Sequence, residues 1–240
     1  MNIDFWKGKR VFLTGHTGFK GGWSVLWLQR LGAIVKGYAL EPNTTPSLFE
    51  IANIGDGIES EFGDIRDLYR LKKSLLDFSP EIVIHMAAQP LVIKSYEQPL
   101  YTHEVNAIGT ANVLEALKEL AKPCVAVMIT TDKVYQNLEN GQAYQETDAL
   151  GGYDPYSASK AAAEIIINSY RQSFFNPSKY DDHLKTISVA RAGNVIGGGD
   201  WAKDRIVPDI VRALQAEQSI TVRNPDAVRP WQHVLEPLSG

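Results

Sequence analysis

Short apolar, β-branched runs alternate with longer stretches of helical periodicity along most of the chain. Val11-Phe12-Leu13 opens the pattern and predicts a strand over 10–14. Trp23, Leu26, Trp27 and Leu31 then recur at helical spacing, giving a helix over 19–31 that Gly32-Ala33 ends. Further strands are expected at 34–40, weakly at 58–62, at 81–86 after Pro80, at 125–129 and at 185–191. Helices are expected over 67–78, 99–120 and 155–175; Val105, Ile108, Val113, Leu114 and Leu117 lie on one side of the long second one. Residues 1–9 form a polar lead around Phe5-Trp6, and 41–47 is a loop rich in Pro, Thr and Asn.

Strands that alternate with helices argue for an α/β fold with a doubly wound parallel sheet of the Rossmann type. Right-handed crossovers place every strand's C-terminal end on one edge, and ligands bind there, where strand order reverses. The chemistry-bearing residues follow the predicted strands: Gly15–Gly21, Asp64, His85–Gln89 and Thr130–Lys133.

The first of these stretches is Gly15-His16-Thr17-Gly18-Phe19-Lys20-Gly21, with glycines at i, i+3 and i+6 between strand and helix. Glycine lets the backbone turn sharply and approach a ligand, and the unpaired amides opening the helix attract an anion such as pyrophosphate. The competing reading is a turn that only packs strand on helix. Tyr-x-x-x-Lys occurs twice. Tyr69–Lys73 lies in a charged segment and reads as a solvated face. Tyr156–Lys160 opens a helix after Pro155, and residues four apart share a helix face. An ammonium beside a phenol favours the phenolate, which suits a base that takes a proton from a sugar hydroxyl.

Composition narrows the classes. The 240 residues are 44% hydrophobic and 22% charged, enough for one globular unit or one plus a partial second. A formal charge of -4 without any Lys/Arg block argues against a nucleic-acid partner. No signal-peptide pattern and no apolar run of membrane-spanning length is found, and the expected location is cytoplasmic. The single cysteine, Cys124, excludes an internal disulfide and a Cys-rich metal site, so no metal is expected.

Thr14-Gly15-x-x-Gly18-Phe19-x-Gly21, Gly63-Asp64-Ile65, His85-x-Ala87-Ala88, Asn106 and Tyr156-x-x-x-Lys160 together resemble the extended short-chain dehydrogenase/reductase family over nearly the whole chain. The resemblance implies an NAD-binding Rossmann domain over 1–190 and, over 191–240, the start of a lobe that binds a nucleotide-sugar. Gly15–Gly21 would hold the coenzyme, His16 either near its phosphates or facing solvent; Asp64 and Ile65 would meet the adenine, and Ala87 and Ala88 line its site. Asp64 alternatively only starts the helix at 67. Within the family, Thr130-Thr131-Asp132-Lys133, Ala190–Trp201 and Arg229–Val234 resemble the branch that dehydrates CDP-glucose. The implied reaction oxidises C4, eliminates water across C5–C6 and returns the hydride to C6. Tyr156 with Lys160 would take the O4 proton, Thr131 would hydrogen-bond O4, Lys133 would be the C5 base and Asp132 the acid. Burial and nearby cations are expected to free Lys133 of its proton; the alternative is a plain Lys133–Asp132 ion pair. Gln89, Arg191, Asn194 and Arg229 are the substrate candidates, Arg229 because arginine forks suit phosphate, whereas Arg191 is equally suited to a structural ion pair. Asn106 is expected to organise backbone, and Trp23 and Trp27 to be core. An epimerase of the same family and a catalytically silent NAD-binding protein remain as other readings.

Two departures stand out. Ala39 occupies the strand-two end where dinucleotide folds usually carry an acid, with Glu41 nearby and no arginine to take a 2′-phosphate; NAD is favoured over NADP. The family pattern also continues well past position 240, so the substrate lobe is expected to be incomplete here. Relatives pair through the helices at 99–120 and 155–175, and a homodimer or homotetramer is expected.

Overall fold

The computed structural model describes residues 3–138, 141 and 143–240. Six parallel strands form the central sheet: β1 (Arg10–Thr14), β2 (Ile34–Ala39), β3 (Glu59–Phe62), β4 (Ile82–His85), β5 (Cys124–Ile129) and β6 (Lys185–Ala190). Their spatial order is β3-β2-β1-β4-β5-β6, so the order reverses between β1 and β4. Thr14 stands opposite Tyr38 on one side and His85 on the other, at the C-terminal edge.

Strand side chains alternate between faces. Val11 and Leu13 pack with Val25, Leu28 and Ile54 under α1 (Phe19–Arg30), whereas Phe12 joins the larger core on the other face. That larger core includes Leu71 and Leu75 of α2 (Leu68–Phe78) and Val113, Leu114 and Leu117 further along the chain. The expected helix at 99–120 is instead three segments: α3 (Pro99–His103), a π-helical turn over Glu104–Ile108, and α4 (Gly109–Glu119). The wide turn falls on Asn106, whose side chain and carbonyl both carry buried hydrogen bonds. Helix α5 (Pro155–Ser173) begins with Asp154 as cap, its carboxylate accepting from the Ser157 amide at 3.0 Å, and Pro155 in the first turn.

Past β6 the chain builds elements the periodicity did not reveal. Asn194–Ile196 (β7) pairs in parallel with Trp231–His233 (β8), and α6 (Ile206–Gln215) lies between them in sequence. Strands of three residues are too short to show a period of two, which is why sequence reading passed over them. Trp23, expected to be core, is only partly buried; its indole N–H donates to the Gly198 carbonyl at 2.9 Å and ties this second region to α1.

Candidate active site

The edge where β1 and β4 part company holds a cleft of about 330 Å³. Gly15, Thr17, Gly18, Phe19, Lys20 and Gly21 form one wall. Gly15 has φ +84°, and a Cβ there would stand 2.8 Å from the Ala87 nitrogen. A Cβ at Gly21 would drive into the Gly15 carbonyl, so only glycine lets α1 start this close to the turn. Asp64 and Ile65 close the far end, and Ala87, Ala88 and Gln89 line the side after β4. Tyr156 and Lys160 reach the cleft from α5.

Asp64 accepts from the Arg66 backbone amide and guanidinium at 2.7–3.2 Å, while Asp67 caps α2; the alternative reading of Asp64 as the start of that helix does not hold. The Gln89 side-chain amide is engaged by its neighbours: Nε2 donates to the Leu91 carbonyl and Thr102 Oγ1, and Oε1 accepts from the Leu91 amide. Asn106 organises backbone as expected, accepting from Gln89 N at 2.8 Å and donating to Gln89 O and Ser159 Oγ.

His16 corrects the sequence reading. Its ring neither faces solvent nor lines the cleft, but lies fully buried behind the glycine turn, stacked near Phe62, edge-on to Phe49 and sharing a hydrogen bond with Ser60 Oγ at 2.8 Å. The side chain turns inward because Gly37 on β2 leaves a gap that a Cβ would fill. Burial lowers its pKa to about 4, so the ring is neutral.

The catalytic candidates meet, with one change in their electrostatics. Tyr156 is buried and hydrogen-bonded with Thr131; burial pushes its phenol up to about 12, outweighing that hydrogen bond and the positive Arg205. Burial thus opposes the acidified phenol expected of the Tyr156–Lys160 pair. Lys160, equally buried, donates to the Ile129 carbonyl at 3.2 Å, and burial reinforced by the Lys20 charge brings it down to about 8. Thr131 Oγ1 donates to Asp132 Oδ1 at 3.0 Å, and Lys133 Nζ donates to the same oxygen at 3.0 Å and to Asn194 Oδ1 at 3.0 Å. Asp132 and Lys133 are about one-third exposed, so the burial expected of Lys133 is replaced by an ion pair at the cleft's margin.

Arg191 departs from its role as a substrate candidate. Its guanidinium grips the buried Glu164 carboxylate through Nε and Nη2 and lies over the Tyr135 ring, the structural alternative foreseen for it. Arg229 is exposed, next to Pro230, which packs near Gly193. Arg205 was missed in the sequence. It lines the cleft with Lys20 and is held by Asp200 at 3.0 Å; the Gly-Gly-Gly-Asp stretch just before it was the available signal.

Burial takes Lys20 down to about 8, helped by the charges of Arg205 and Lys133. A glycine turn, a helix N-terminus and clustered cations at a strand-order reversal suit a dinucleotide's pyrophosphate. The sequence profile of the GDP-mannose 4,6 dehydratase family matches residues 12–239. The chain belongs to this family. As a GDP-mannose 4,6 dehydratase family member it is an extended short-chain dehydrogenase/reductase with the Rossmann-type sheet described above. It is 56% identical, over 99% of its length and 66% of the relative's, to CDP-glucose 4,6-dehydratase of Salmonella typhimurium. It is 27% identical, over 75% of its length and 55% of the relative's, to UDP-glucose 4-epimerase of Mycoplasma pneumoniae. The chain thus spans about two thirds of the first relative and about half of the second. Two solved structures share the fold: a Streptomyces venezuelae dTDP-glucose 4,6-dehydratase with NAD and TYD bound, and a Thermotoga maritima UDP-glucose 4-epimerase with UDP-glucose. Each superposes with a TM-score of 0.80 over 94% of this family member, covering 68% and 69% of those chains at 22% and 20% identity. Among the described residues no helix is long and apolar enough to cross a membrane.

Proposed function

We propose that the chain carries the coenzyme site and catalytic centre of a nucleotide-sugar 4,6-dehydratase, a lyase that turns CDP-D-glucose into CDP-4-keto-6-deoxy-D-glucose. The observation that carries this reading is the 56% identity across 99% of the chain to an enzyme of that name. Residues 1–190 are read as the NAD-binding domain and 191–240 as the start of the sugar-nucleotide lobe.

The cleft suits NAD on its own terms, because its glycine wall is a cradle that a Cβ at Gly15 or Gly21 would fill. Gly15–Gly21 would hold the pyrophosphate, Asp64 and Ile65 the adenine end, and Ala87, Ala88, Tyr156 and Lys160 the nicotinamide end. When bound, the coenzyme supplies the hydride acceptor and donor that carry hydrogen from C4 to C6.

Tyr156 accepts the O4 proton. The phenolate this needs is supported by the Thr131 hydroxyl, which turns from Asp132 toward the phenolate oxygen. Elimination needs a base at C5 and an acid at the C6 hydroxyl. One proton passed along the 3.0 Å Lys133–Asp132 hydrogen bond produces both, a free amine and a carboxylic acid. Lys133 then takes the C5 proton, Asp132 gives its proton to the departing hydroxyl as water, and the Lys133 ammonium returns a proton to C5 as the hydride reaches C6; the proton that Tyr156 took from O4 then passes to Lys133, restoring the phenolate, the ammonium and the carboxylate. The ion pair and the catalytic role are thereby one arrangement. Asn194 and Arg229 are assigned to the substrate diphosphate, whereas Arg191 is not, being held by Glu164.

Incubation with CDP-glucose and NAD tests the reading. A nucleotide-sugar lighter by one water supports it; conversion to an isomer of unchanged mass indicates an epimerase, and no conversion with NAD bound indicates a silent binding protein. A Lys133→Met variant that still exchanges the C5 proton with solvent at the wild-type rate would remove Lys133 from the base role. A cytoplasmic homodimer or homotetramer is the assembly inferred, paired through α3–α4 and α5, where Leu100, Ile108 and Ile165 are exposed; sedimentation tests it.

A further inference from the structure

A buried line of hydrogen bonds runs beneath the cleft and joins the strand that enters the glycine turn to the helix that bears Tyr156. Thr14 Oγ1 accepts from two backbone amides, Met86 N and Ala87 N, each at 3.1 Å. A hydroxyl has two lone pairs and one hydrogen. Both lone pairs are taken, so the hydrogen goes to the remaining neighbour, His85 Nδ1, at 2.7 Å. Nδ1 must then be bare, and the His85 proton sits on Nε2. Nε2 donates to Thr110 Oγ1 at 3.1 Å, and Thr110 donates onward to the Asn106 carbonyl at 2.7 Å. From the same residue, Asn106 Nδ2 donates to Ser159 Oγ at 2.8 Å, and Ser159 donates to the Tyr156 carbonyl at 2.7 Å.

The hydroxyl and imidazole hydrogens along this line each have one acceptor, which fixes its direction from Thr14 to the Asn106 carbonyl. His85 both accepts and donates within it, joining the Thr14 hydroxyl of β1 to the Thr110 hydroxyl of α4. It is 2% exposed, and burial with the Lys160 charge lowers its pKa to about 3, in keeping with the neutral tautomer deduced from geometry. Asn106 lies within the π-helical turn over Glu104–Ile108, with its carbonyl accepting from Thr110 and its amide donating to Ser159.

We propose that His85 is a positioning residue for the coenzyme site: its Nε2–H tautomer sets the spacing between the Thr14–Ala87 wall of the cleft and the helix that carries Tyr156. The argument rests on the coenzyme-site reading above. Its chemistry is that of a rigid two-ended bridge. Nδ1 fixes the Thr14 hydroxyl, the hydroxyl fixes the two amides after β4, and Ala87 abuts Gly15 so closely that a Cβ would meet its nitrogen at 2.8 Å. Loss of the bridge leaves two buried hydroxyls to find new partners and lets the two walls drift. The line meets Tyr156 only at its backbone carbonyl and does not include Asn194 or Arg229, so affinity for the substrate diphosphate is outside its reach.

Three variants of the full chain test this: His85→Leu, which removes both ends of the bridge; His85→Gln, whose amide can accept from Thr14 and donate to Thr110; and Thr110→Val, which cuts the line one step on. NAD affinity is measured by equilibrium dialysis without substrate, and kcat and KM for the nucleotide-sugar separately. The expected result is a dissociation constant for NAD raised about tenfold or more in His85→Leu, the size of one buried hydrogen-bond network lost. The same loss should be smaller in Thr110→Val and largely recovered in His85→Gln, with kcat lowered and the sugar KM unchanged. If His85→Leu does not fold, Thr110→Val carries the comparison. Unchanged NAD affinity in both, or a rise in sugar KM alone, overturns the proposal. Wild-type protein that binds no NAD would instead overturn the coenzyme-site reading, which keeps the two failures apart.

Discussion

Arg191 and Glu164 form a two-toothed ion pair in the interior: Nε and Nη2 reach the carboxylate at 2.5–3.1 Å, with Glu164 6% and Arg191 18% exposed. Thr130 Oγ1 adds a third donor to Glu164 at 2.6 Å, just after β5. A pair this enclosed is costly to split, since either partner alone is left as a buried charge. We expect Arg191→Leu to lower unfolding stability by about 3–5 kcal/mol, and Arg191→Lys by less, because it keeps the charge without the fork. Urea denaturation checks both, and a folded Arg191→Lys should keep its sugar KM.

The Gly21 position has no room for a side chain, since its Cβ would strike the Gly15 carbonyl, a backbone atom that cannot swing aside. Gly21→Ala should therefore open the turn and abolish measurable NAD binding in dialysis. Gly18→Ala makes a useful contrast. A Cβ there meets the Gly15 carbonyl only at 3.4 Å, an ordinary contact, and NAD binding should weaken far less.

Stability should fall with acid earlier than carboxylate protonation would cause. His85 and His16 are neutral in the fold, with pKa values near 3 and 4, chiefly through burial. Both return to about 6.5 when unfolded. From about pH 6.5 down to about 4 the unfolded chain binds up to two more protons than the native one, so native stability drops as pH falls, by up to about 1.4 kcal/mol per pH unit for each ring. Carboxylates held low, such as Glu81 beside Lys9, add to the loss only at more acidic pH. Urea midpoints between pH 7.5 and 5 measure the slope, and His85→Gln should roughly halve it.

At the opposite edge of the sheet Lys185 is buried, its ammonium donating to the carbonyls of Leu120, Lys122 and His183 at 2.7–2.9 Å. Burial lowers its pKa, yet all three hydrogens are placed, two on carbonyls of the loop before β5 and one on the last residue of the short helix Tyr180–His183 before β6. Lys185→Met keeps the stem but strands those carbonyls, and should cost about 2–3 kcal/mol in urea denaturation. Coenzyme affinity should not change, because this edge faces away from the cleft.

The pattern of apolar runs was enough to place six strands in order, since each buried strand and each amphipathic helix needs its own local periodicity to bury its face. Right-handed crossovers then put Gly15–Gly21, Asp64, His85–Gln89 and Thr130–Lys133 at one edge without any coordinates. Four-residue spacing on one helix face paired Lys160 with Tyr156, while Thr131, Asp132 and Lys133 entered as candidates through the family resemblance. Tertiary structure alone decided what those groups face. It turned His16 inward against Gly37, locked Arg191 onto Glu164, brought Arg205 into the cleft and raised the Tyr156 phenol instead of lowering it. Each of these depends on a neighbour tens of residues away and on how much water the fold excludes. Burial and long-range contact leave no periodic mark on a chain, so only packing in three dimensions could settle them.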